Sequence, residues 1–128
     1  MTAGLRETIA LHMHASLATL IHEPTLDAFD SLANIFNMVG LTILHDSRCA
    51  HEARLINGGA MAMQDIGRLL EASLPLQDHH LAPVRVAVTA IDSILWWIDV
   101  AKLYTAEKVA VAAVQQMRAH LSTPKEAT

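Results

Sequence analysis

One cysteine, Cys49, is present among 128 residues. A lone thiol excludes an internal disulfide and fits a reducing compartment, so a cytoplasmic location is expected. Aromatic residues make up only 4% and lysines number three. Nine basic side chains face thirteen acidic ones, for a formal net charge of −4. No basic tract occurs, which excludes a general phosphate-backbone binder and argues against nucleic acid as a partner. The start, MTAGLRETIALHMH, carries an acid and histidines where a signal peptide would need an apolar core. The longest apolar stretch, Leu81 to Tyr104, contains Arg85, Asp92, Asp99 and Lys102. That is too many charges for an ordinary membrane span.

What the chain does hold is apolar surface. Hydrophobic residues reach 52% against 17% charged. The length suits one domain, able to bury roughly two-thirds of its unfolded surface. The apolar excess points to self-association, with a homodimer as the expected state and a further protein as the partner class. No strand alternation and no internal repeat occur. The expected fold is all-α: a compact, largely antiparallel bundle of four to five helices over residues 1–121, followed by a flexible tail over 122–128.

Hydrophobic spacing locates the helices. Leu5, Ile9, Met13, Leu17 and Leu20 recur at three and four residues and predict a helix from Thr2, its expected cap, to Ile21. Pro24 ends it. Thr25 is the expected N-cap of a second helix, with Asp27 in its first turn. That helix is expected to run as far as Ile56, with Gly40 as a place of interruption. Asn57-Gly58-Gly59 is the strongest stop signal. A third helix is expected over Ala60–Ser73, ended by Pro75. Asp78 is expected to cap a fourth, with Pro83 in its first turn. Thr105-Ala106-Glu107 resembles a fresh start, giving a last helix over Thr105–Leu121 or one helix of about 40 residues.

Several residues carry ligand or anchor chemistry. On one continuous helix, Ile35, Met38, Thr42, His45, Cys49, Glu52 and Ile56 form a stripe with a polar centre. His45, Cys49 and Glu52 are then a candidate polar pocket, and His12 or His14 would have to add further ligands for a metal. The run Leu44-His45-Asp46-Ser47 resembles the metal motif of HD-type phosphohydrolases, an all-helical family. The resemblance implies His45, Asp46, His22 and Asp92 (or Asp99) as ligands of a divalent metal that activates water. Pro24 stands where that family continues a helix, and the family's glycine and lysine after the doublet are absent. Gln64 to Ser73 resembles the first helix and turn of a helix-turn-helix, but LPLQDHH follows in place of a basic reading helix. Glu-x-x-His pairs, a nucleophile elbow and a phosphate-binding glycine loop are all missing.

On an unbroken helix Trp97 joins Ala90, Ile94, Ala101 and Tyr104 on a core stripe. Trp96 falls with Arg85, Asp92 and Asp99 on a polar line. These four are the candidate interface residues, with Trp96 as anchor. Arg85 and Asp92 stand about 10.5 Å apart along the axis and need separate partners, for example Arg68 for an aspartate. The expected function is a non-catalytic interaction or regulatory module without a cofactor. The alternatives are a metal-dependent HD-like phosphohydrolase and a dimeric DNA-binding regulator.

Overall fold

A computed structural model of the chain describes residues 2–99, 101–103, 105–106, 108, 112, 115–116 and 119. All regular structure among them is helical. The elements are α1 (Thr2–His22), α2 (Leu26–Thr42), a 3₁₀ turn (Ser47–Cys49), α3 (Ala50–Glu71) and α4 (Asp78–Ile94). No helix among the described residues is long and apolar enough to cross a membrane. The side chains of Thr2, Tyr104 and Glu107 and the tail 122–128 lie outside the described set.

Helix α1 buries Ile9, Met13 and Leu20 and stops where Pro24 restricts Glu23. The Thr25 hydroxyl accepts a hydrogen bond from the Ala28 amide at 3.1 Å and starts α2. Helix α2 packs against α1 and α3. It buries Phe29, Leu32, Phe36 and Val39 almost completely.

The second helix ends at Thr42, well short of Ile56. The Thr42 hydroxyl donates to the Met38 carbonyl at 2.8 Å, and the chain turns through Ile43 to Asp46. Asp46 then caps the 3₁₀ turn, its carboxylate accepting from the Arg48 amide at 3.0 Å. A side chain that can bond its own backbone competes with helix continuation, and here it wins.

Asn57-Gly58-Gly59, the expected stop, lies inside α3. Gly59 is buried because α4 passes too close for a side chain. A Cβ there would overlap the Ala87 Cβ and sit 3.1 Å from the Phe36 ring and 3.2 Å from the Pro83 carbonyl. Gly67 repeats the device, with a would-be Cβ 2.9 Å from the Phe29 ring. Gly59 faces Ala87 and Phe36, while Gly67 faces Phe29. Earlier residues of α3, Glu52 and Leu55, share a groove with later residues of α4, Thr89 and Ser93, so the register runs backwards along both neighbours and α3 packs antiparallel to α2 and to α4.

Helix α3 closes with Ser73 at φ 55°. The Leu74 amide bonds the Leu69 carbonyl at 2.8 Å and the Ser73 amide bonds the Leu70 carbonyl at 3.1 Å, the bonding of a Schellman motif. Gln77, not Asp78, stands at the cap of α4, its amide donating to the His80 Nδ1 at 3.0 Å and its carbonyl accepting from the His80 amide at 3.0 Å, and Pro83 sits beyond the first turn. Helix α4 ends at Ile94. Leu95 and Ile98 turn inward and are buried, and Asp99 caps the next helical residues. Its carboxylate accepts from the Ala101 amide at 2.9 Å and the Lys102 amide at 3.3 Å. The last helix therefore begins before Thr105, and no single helix runs through 81–121.

Adjacent glycines 58 and 59 should respond in opposite directions to alanine. Gly58 has open space around a would-be Cβ. Gly58→Ala should stabilise by about 0.5–1 kcal/mol through backbone entropy. Gly59→Ala should destabilise by about 1–3 kcal/mol through overpacking. Urea unfolding of both variants checks the close approach.

Candidate interaction surface

The antiparallel register brings the end of α2, the start of α3 and the end of α4 together. Three contacts join them. Leu41 and Leu44 line one depression of about 310 Å³ between α2 and α3. Leu41, His45, Asp46, Arg48 and Lys102 line a second, of about 450 Å³. The Arg48 guanidinium stands 4.8 Å over the centre of the Trp97 ring. From α1, the Arg6 guanidinium reaches the same end and donates to the Ile98 carbonyl at 2.9 Å.

Eight large apolar side chains are exposed among the described residues, and half of them lie here. They are Leu41, Leu44, Trp96 and Trp97. Trp96 is 63% exposed and Trp97 43% exposed. The expected core position of Trp97 is therefore wrong. In the turn after Ile94, Leu95 and Ile98 face inward and the two residues between them are left outside. A projection onto an unbroken helix cannot show this. Leu41 and Leu44 were not on any recognised stripe, and only the end of α2 at Thr42 exposes them.

The charges at this end are mixed. Arg48 holds Asp46 through two contacts, 3.0 Å from Nε and 2.8 Å from Nη2. These bonds, with the backbone bond to Arg48, hold the Asp46 carboxyl below its ordinary range, and Lys102 adds a small electrostatic contribution. Burial pushes the Cys49 thiol up, with Asp46 and Glu52 adding to the effect, so the thiol stays protonated and a poor nucleophile at neutral pH.

The remaining candidates are dispersed. His45 is exposed, Cys49 is buried and Glu52 is half-buried. The interruption of the helix between Thr42 and Ala50 splits their stripe. His45 lines the depression beside Lys102, and Glu52 lines a separate groove with Arg85. His22 ends α1. Asp92 pairs with His14 at 2.8 Å across α1 and α4, and Arg68 pairs with Asp65 within α3. His45, Asp46, His22 and Asp92 do not assemble. Among the described residues no three His, Cys, Asp or Glu side chains form a group fit to hold a metal. The four candidate interface residues also separate. Trp96 is exposed on the turn, Asp99 caps a helix, Asp92 bonds α1, and Arg85 lines the groove. No protein-family model matches the chain, and no curated protein or solved structure matches it either.

The Asp46 interaction sets a pH dependence. A carboxyl whose folded pKa is depressed adds stability above its unfolded value, about 3.9. That contribution disappears as pH falls through the folded value. Thermal melts from pH 7 to pH 3 should show a shallower acid loss in Asp46→Asn than in the parent chain. Parallel curves would remove the pair from the stability of this end.

Proposed function

We propose that the chain is a non-catalytic interaction module that pairs with a second copy of itself and acts on another macromolecule as a small regulatory or accessory protein. The observation that carries this reading is the exposure of the adjacent Trp96 and Trp97, with Trp97 under the Arg48 guanidinium that shares a depression with the exposed Leu41. Large aromatic side chains dominate the energetics of protein interfaces once their surroundings exclude water.

The surrounding charges favour a copy of the same surface over an ionic partner. Arg48 and Lys102 stand with Asp46 and Asp99 at one end. A surface that carries both signs has no net charge to repel its own copy, and a two-fold arrangement allows each sign to lie against its opposite.

Sedimentation velocity tests the reading. The parent chain should sediment as a dimer at micromolar concentration. Trp96→Asp should weaken the dimer about thirtyfold or more, the scale of an interface hot spot. The exposure of Trp96 leaves the monomer fold intact in this variant. A parent chain that stays monomeric at about 100 μM would overturn the reading.

A further inference from the structure

A second surface, on the α3–α4 face, has the chemistry of a small-molecule site. Helices α3 and α4 leave a groove of about 410 Å³ between the start of one and the end of the other. That volume falls within the range of sites for small ligands. Leu55, Val86 and Ala90 supply apolar lining, and Val86 is 46% exposed.

The polar groups come from facing helices. Glu52 lies in the first turn of α3 and Arg85 lies on α4. Both line the groove, and no ion pair joins them. Among the described residues neither side chain makes a hydrogen bond. Thr89 and Ser93 follow Arg85 at four-residue steps along the same groove. Their hydroxyls donate to the carbonyls of Arg85 at 3.1 Å and Ala90 at 2.7 Å. Each oxygen is left as an acceptor for an incoming N–H.

We propose that this groove binds an apolar α-amino acid as its zwitterion. The Arg85 guanidinium takes the carboxylate, with the two-pronged geometry that arginine offers. The ammonium goes to Glu52 and the hydroxyl oxygens of Thr89 and Ser93. The apolar side chain rests on Leu55, Val86 and Ala90. A ligand carrying both charges satisfies two side chains that the chain itself leaves unpaired.

The test is a ¹H–¹⁵N NMR titration of the full chain with L-leucine, isocaproate, which lacks the amine, and isoamylamine, which lacks the carboxylate. Leucine should give saturable shifts at the groove residues, with each analogue binding about tenfold more weakly. Arg85→Met should weaken leucine and isocaproate and leave isoamylamine unchanged. Glu52→Gln should weaken leucine and isoamylamine and leave isocaproate unchanged. Circular dichroism of both variants confirms the fold. No saturation by about 10 mM leucine overturns the proposal. Equal binding of all three probes, or variants that bind like the parent, also overturns it, because the groove would then be reading apolar surface alone.

Discussion

The packing of the bundle depends on one close approach, where α3 meets α4 with no room for a methyl group at Gly59. Helices pack at 8–10 Å according to the side chains between them, and glycine opposite alanine sets the short end of that range. Gly67 does the same for α2 through the Phe29 ring. Two glycines on one helix thus hold α3 against both neighbours. The groove beside Glu52 and Arg85 lies between the same two helices.

Local capping then shapes one end. Asp46 and Asp99 each accept backbone amides and start a new helical segment. In both places the chain has just left a long helix and must turn before the next. The turns place Ile43, Cys49, Leu95 and Ile98 inward. Their neighbours Leu44, Trp96 and Trp97 are left facing out. Apolar exposure at this end is therefore a consequence of where two aspartates cap, not of a failing core. Opposite charges stand within the same surface, and Arg48 serves both Asp46 and Trp97.

Much of this was legible in the residues. The periodicity of Leu5 to Leu20 marked α1 to within one residue of its end, and Thr25 was identifiable as a cap. The all-helical class followed from the same spacing. The errors share a cause. Asn57-Gly58-Gly59 has the composition of a helix stop, but glycine also serves where another backbone approaches, and only the position of α4 decides between the two uses. The His45–Cys49–Glu52 stripe and the core position of Trp97 both assumed an unbroken helix. Asp46-Ser47 and Asp99 carried the signal of a break, since aspartate favours caps over helix interiors. Trp96 stood out from its polar neighbours. Leu41 and Leu44 did not, because exposure at a helix end depends on where the helix stops.

Both tryptophans of the chain lie in the exposed turn, so their fluorescence reports directly on whether that surface is covered. The most direct measurement is the emission spectrum of the parent chain, recorded on dilution from about 100 μM to about 10 nM. Pairing through this end predicts a blue-shifted spectrum at high concentration that moves to the red on dilution with a single midpoint. A red-shifted spectrum that does not change with concentration would contradict it.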